Sequence, residues 1–206
     1  MKNNNKIPNI KIDFPLVSRF LPIILVGSEK VLDEKSKLYI RLLFRLVDKS
    51  WFKYEEVKES LEEEIKTGDK LIYRINIINN LEDCLYAINR FIKIFDIIIN
   101  GKNDDKRKIN LLKYIDKKTI NRLKKYNVSK IRNRVEHINE DIFYNTFKKD
   151  LFLDVSEDYK SICINNRYLL ISDLIKIIED YHDFVLEIFN NLPNRIENGK
   201  FYYDKK

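Results

Sequence analysis

Apolar residues recur at helical spacing through most of the chain. From Lys70 to Asn100 the residues Leu71, Ile75, Ile78, Leu85, Ile88, Ile92, Phe95 and Ile99 keep a seven-residue spacing, which predicts a long bundle helix of about 45 Å. Thr67-Gly68-Asp69 before it and Asn100-Gly101 after it supply the breaks. Upstream, a helix is expected over Ser28–Asp48, capped by Ser28, with Leu32, Leu38, Leu42, Leu43, Leu46 and Val47 on its buried face. Trp51, Phe52 and Tyr54 follow, and then a short charged helix over Glu55–Lys66. Short helices are expected at Ile109–Ile115 and Thr119–Tyr126, with Leu112, Ile115, Ile120 and Leu123 in the core. Two apolar runs, Tyr159–Ile164 and Arg167–Ile171, flank Asn165-Asn166. Asparagine tolerates positive φ, so this is a β-hairpin, and the only sheet the pattern suggests. Ser172-Asp173 opens a last helix with Leu174, Ile178, Tyr181, Val185 and Ile188 on one stripe; His182 borders that stripe as a structural residue.

The ends differ from the middle. Residues 1–12 are polar and expected to be loose. Phe14–Gly27 is apolar but interrupted by Pro15, Arg19 and Pro22, too short and broken for a membrane span, and the start, Met1-Lys2-Asn3-Asn4-Asn5, lacks an adjacent hydrophobic signal core. It reads as an arm packed on the body or on a partner. The organisation is thus an N-terminal arm (1–27), a helical domain (28–190) and a polar tail (191–206) carrying Tyr202 and Tyr203.

One more helix carries different residues. Ser129 is a good N-cap, and Ile131, Val135, Ile138 and Ile142 form an apolar stripe at i, i+4, i+7 and i+11, in a helix running to about Phe147. At about 100° per residue, Asn133 and His137 lie nearly opposite that stripe. Arg132 and Glu136 flank this polar face on one side, Arg134 and Asp141 on the other. A histidine with an ordinary pKa near ~6.5 exchanges a proton at neutral pH, and an arginine in a first helical turn holds phosphate by a bidentate fork. Asn133 is placed to orient the ring or bind a ribose hydroxyl, and Asp141 to raise the histidine's pKa. The plainer reading of the same residues is a solvated surface with an Arg132–Glu136 pair worth a few tenths of a kcal/mol.

The run Arg132-Asn133-Arg134-Val135-Glu136-His137 resembles the Arg-polar-x-x-x-His signature of the HEPN superfamily, and Glu136-His137-Ile138-Asn139-Glu140 is similar to its small prokaryotic members. The resemblance covers roughly residues 28–190. It implies an all-α, HEPN-like helical bundle with long antiparallel helices, here with one small β-hairpin. It also implies a homodimeric, metal-independent endoribonuclease of the toxin–antitoxin or antiviral-defence kind. Arg132 and His137 would be the catalytic pair, with Asn133 the polar residue of the signature. Lys130 and Arg134 would touch the RNA phosphates, and Glu136 and Asp141 would support them. A cognate antitoxin or defence protein is the expected further partner, and Tyr126 and Tyr144 are nearby candidates for modification. The alternative is a non-catalytic module that binds nucleic acid or such a protein.

Composition changes this picture little. The 206 residues carry a net charge of +7 and an isoelectric point near 9.1, with only 4 Gly and 4 Pro, so elements are long and turns few. Cys84 and Cys163 have no paired spacing, which suggests reduced thiols in a cytoplasmic protein; no zinc pattern is present and no cofactor is expected. The basic residues are unevenly spread. Lys102, Lys106, Arg107, Lys108, Lys113, Lys117, Lys118, Arg122, Lys124 and Lys125 lead into the motif, whereas Glu55–Glu64 is acidic. This is the charge placement an RNA backbone requires, although a solvated helix face explains most of these lysines equally well.

Overall fold

The computed structural model describes residues 7–18, 32–100, 111–125, 153–164, 167–192, 195–197 and 200–202. It is mostly helical, with a small antiparallel sheet. The helices are α1 (Glu34–Thr67), α2 (Lys70–Asn100), α3 (Lys117–Lys125) and α4 (Ile171–Asn190), with a 3₁₀ turn at Leu112–Tyr114. The strands are β1 (Leu153–Val155), β2 (Ser161–Ile164), β3 (Arg167–Leu170), β4 (Arg195–Glu197) and β5 (Lys200–Tyr202). None of the described helices is long and apolar enough to cross a membrane.

The two helices expected before Lys70 are one. Buried residues on α1 fall at 40, 43, 47, 50, 54, 57, 61 and 64, an unbroken alternation of three and four. Ser50 and Glu64 occupy two of those places and hide the repeat from a purely apolar count. Leu38, expected inside, is 64% exposed, and Ile40 and Phe44 are buried instead. Ser28 lies outside the described residues. The cap is Asp33, whose Oδ1 accepts from Ser36 N at 2.8 Å and whose Oδ2 accepts from Ser36 Oγ at 2.7 Å. At the other end Gly68 takes φ 75°, and its N–H donates to Glu64 O at 2.9 Å, the left-handed stop that glycine adopts without Cβ strain.

The bounds of α2 match the expectation, but its seam is shifted. Ile77, Leu81, Cys84, Ile88, Phe91, Phe95 and Ile98 form the buried stripe; Leu85 and Ile92 are buried beside it. Leu71 and Ile75, read as core, are 74% and 54% exposed. An alternating 3–4 pattern has more than one phase in so Ile-rich a helix, and only the partner surface selects among them.

Chain contacts divide the molecule into two compact units. The first comprises Met1–Lys11, Lys49–Asn89 and Asn127–Glu179. Here α1 and α2 run antiparallel: Lys49 Nζ meets Asp83 Oδ1 at 2.6 Å, Lys53 Nζ meets Asn80 Oδ1 at 3.0 Å, and Cys84 Sγ donates to Ser50 O at 3.3 Å. The expected hairpin is present, with Ile164 opposite Arg167, and gains a third strand in the order β1-β2-β3. Leu153, Val155 and Ile162 turn into the core. Of the stretch expected to be loose, the described part from Ile7 onward is held: Ile7 is buried, Tyr54 Oη donates to Pro8 O at 2.6 Å, and Lys11 N donates to Glu179 Oε1 at 2.8 Å.

The second unit comprises Ile12–Asp48, Arg90–Tyr126 and Asp180–Lys206. Aromatic packing joins α2 to α4: Phe91 stacks on Tyr181 at 4.0 Å, and Phe184 meets Phe91 and Phe95 edge-on at 5.9 and 5.3 Å. The arm residues 14–18 pack here. Leu16 is fully buried, and the N–H groups of Leu16 and Val17 donate to Asp48 Oδ1 and Oδ2 at 2.8 and 2.9 Å. Within the tail, β4 and β5 pair antiparallel, a second ribbon that the hydrophobic pattern does not suggest.

The shifted seam has a direct test. Leu81→Ala should lower unfolding free energy by about 2–5 kcal/mol, and Leu71→Ala should stay within about 0.5 kcal/mol, both read from urea denaturation. Equal losses would restore the phase expected from sequence.

Candidate functional site

The predicted site residues Lys130, Arg132, Asn133, Arg134, Glu136, His137 and Asp141 lie outside the described residues, as do Tyr126 and Tyr144. The structure brackets them in the chain between the end of α3 at Lys125 and the start of β1 at Leu153. His182, read as structural, is buried within the second unit. Its Nε2 lies 3.2 Å from Phe14 O, and its ring meets the Phe14 ring edge-on at 5.7 Å. Burial pushes the neighbouring Asp48 carboxyl up, while the Val17 and Leu16 amides and nearby His182 pull it down. This group fastens the arm to α1.

Among the described residues, the most concentrated chemistry is a buried ionic cluster in the first unit, which sequence reading did not single out. The Glu64 side chain is 0% exposed. Its Oε1 accepts from Arg74 Nη2 at 3.0 Å and from Tyr159 Oη at 3.0 Å, while its Oε2 has no hydrogen-bond partner. Arg74 also donates through Nη1 to Val155 O at 2.9 Å and Asp154 Oδ1 at 3.2 Å, and its guanidinium lies 5.9 Å from the Tyr159 ring centre. One arginine thus ties the end of α1 and the start of α2 to β1 and the turn that follows it. Burial, and then the Glu64 carboxylate, raise the Tyr159 phenol above its ordinary range.

Tyr159 takes φ 57°, a left-handed conformation that costs a non-glycine residue about 1–2 kcal/mol. The turn is built to hold it. Tyr159 N donates to Ser156 O at 2.9 Å, and Ser156 N donates to Ser161 O at 2.8 Å. Ser156 Oγ donates to Asp158 Oδ1 at 2.6 Å, which holds the exposed Asp158 carboxyl below the usual carboxylate range. The signal for this cluster was present but hard to see: Glu64 stands at a core position of the α1 repeat, where a carboxylate requires a partner.

Two further groups are shifted by burial. The Cys84 thiol is fully buried and pushed well above its ordinary range, so it is a poor nucleophile. The Tyr54 phenol is likewise raised, first by burial and then by Glu55. Among the described residues, no group of three or more His, Cys, Asp or Glu side chains is arranged to hold a metal ion. Comparison with protein-family models, with curated proteins and with solved structures finds no match.

Two measurements test this anatomy. Arg74→Met should destabilise by about 3–5 kcal/mol, because it strands a buried carboxylate, and adding Glu64→Met should recover part of that loss. A double variant no better than the single one would show that the pair is not coupled. Tyr54 is protonated in the fold with a pKa above the unfolded value near about 10. Its contribution is therefore present below that value and lost as pH rises beyond it. Tyr54→Phe should shrink the fall in stability between pH 10 and 12, followed by circular dichroism.

Proposed function

We propose that this chain is a metal-independent endoribonuclease of HEPN type, acting as a toxin or antiviral-defence effector. The observation that carries the reading is the run from Arg132 to His137, with its Arg-polar-x-x-x-His spacing on the polar side of an amphipathic stretch. The mostly helical character of the described residues is consistent with this class.

In this mechanism the ribose 2′-hydroxyl of the RNA attacks the adjacent phosphorus. His137 takes the hydroxyl proton as the new P–O bond forms and returns it to the 5′-oxygen of the next nucleotide as that P–O bond breaks, leaving a cyclic phosphate and a free 5′-hydroxyl. Arg132 stabilises the negative charge gathering on the non-bridging oxygens. Asn133 orients the imidazole or the ribose, Lys130 and Arg134 hold neighbouring phosphates, and Glu136 and Asp141 keep the cationic groups in place. On a regular helix, Arg132 and His137 are five residues and about 140° apart, so one copy does not aim both at the same atom. A two-fold pair of motif segments supplies both groups to one phosphate, which makes the homodimer the active form. A cognate antitoxin or defence protein would restrain the activity.

Single-stranded RNA incubated with purified protein in EDTA should be cut, and Arg132→Ala and His137→Ala should each lower the rate by about 10²–10⁴-fold with unchanged circular dichroism. Cleavage by both variants at the wild-type rate would end the reading.

A further inference from the structure

The helix α3 differs from every other described helix in its charges. It carries Lys117, Lys118, Arg122, Lys124 and Lys125 and no carboxylate. The helix it packs against in the second unit, α4, carries five carboxylates and one lysine. Docking sorts these charges. Glu187 of α4 accepts from Asp116 N and Thr119 Oγ1, and Asn191 Nδ2 donates to Tyr114 O at 2.8 Å. Arg122 turns toward the buried Asp180, with Nε 3.6 Å from its Oδ1, and toward Asp183 at 3.9 Å. Leu123 is buried on the same side. Arg122 is thereby spent on the fold.

The lysines are not. At about 100° per residue, Lys117, Lys118, Asn121 and Lys124 fall within about 120° of arc, opposite Leu123, and reach about 10 Å along the axis. All four are exposed, as is Lys113 in the turn that precedes α3 in sequence. Lys117, Lys118 and Lys124 make no ion pair among the described residues. On α1 four of the six lysines are matched along the helix instead: Lys37 pairs with Glu34, Lys53 with Glu56, Lys58 with Glu55 and Lys66 with Glu63. No Asp or Glu stands three or four residues from Lys117, Lys118 or Lys124. Among the described residues the large exposed apolar side chains lie outside α3, so its described face lacks the anchor that a protein interface centres on.

We propose that this lysine face of α3 is a docking track for the phosphodiester backbone of single-stranded RNA, its last lysine, Lys124, standing eight residues of sequence before Arg132. Naming RNA as the polyanion rests on the function proposed above. Recognition is of phosphate spacing and charge, not of base sequence.

The test uses full-length His137→Ala protein, so that binding is measured without cleavage. A fluorescent 20-nucleotide single-stranded RNA is titrated across a salt series. Changing Lys117, Lys118 and Lys124 together to Gln should lower affinity at least about tenfold at 0.1 M salt and reduce the log–log salt slope by about 2. Removing the same number of charges on α1, with Lys37, Lys53 and Lys66 changed to Gln, should leave both nearly unchanged. Equal losses in the two triple variants would overturn the proposal, because net charge alone would then explain binding. Unchanged binding in the α3 variant would overturn it too, as would lysine-dependent binding of poly-glutamate in place of RNA, which would make the face a protein contact. If wild type binds RNA through α3 but never cuts it, the track stands and the catalytic reading falls. If it cuts RNA and the α3 variant binds normally, the reverse holds.

Discussion

A helix of 34 residues is held in a protein only if one side of it can be buried at every third and fourth position. From Ile40 to Glu64, α1 meets that condition without a break. The rest of the described structure follows from this. α2 folds back beside it after Gly68, within the first unit, and presents Ile77, Leu81 and Cys84. In the second unit α4 packs Tyr181 and Phe184 against Phe91. Four glycines and four prolines in 206 residues leave few places for the chain to turn, so burial along long stripes is how this composition forms a core.

Where a polar residue interrupts a stripe, the fold supplies a partner. Glu64 is answered by Arg74 and Tyr159, Asp48 by two amides of the arm, and Asp180 by Arg122. The pairings with Tyr159, with the arm and with Arg122 join segments distant in sequence, and every one of them partners a buried carboxylate. Breaking one partner of such a pair is costly, because the other stays buried. The charges left outside are therefore informative. On α1 four lysines pair with glutamates along the helix, and on α3 Lys117, Lys118 and Lys124 have no such partner, which gives a protein of modest net charge a locally cationic face.

Hydrophobic pattern and structure agree best where one stripe has one possible phase. The stripe Leu174, Ile178, Tyr181, Val185 and Ile188 of α4 is buried as expected, because polar residues separate it cleanly from the opposite face. In α2 isoleucines occupy several phases at once, and the seven-residue spacing points Leu71 and Ile75 toward a core they do not enter. On α1 the polar Ser50 and Glu64 concealed the repeat, and the aromatic run from Trp51 suggested a break where the helix continues. β1 escaped notice because three residues carry too little pattern, and its pairing with β2 spans the Ser156–Lys160 turn. The candidate site was legible only as a motif, Arg132 to His137; the cluster around Arg74 was not, since its members come from three separate stretches.

Local spacing was enough to determine that this is a chain of long amphipathic helices with a hairpin at Asn165-Asn166, since period and turn chemistry act over a few residues. Which stripe faces inward, which buried carboxylate meets which cation, and which lysines remain exposed were decided by tertiary structure. Those outcomes depend on the surface presented by a distant segment, and no local pattern contains it.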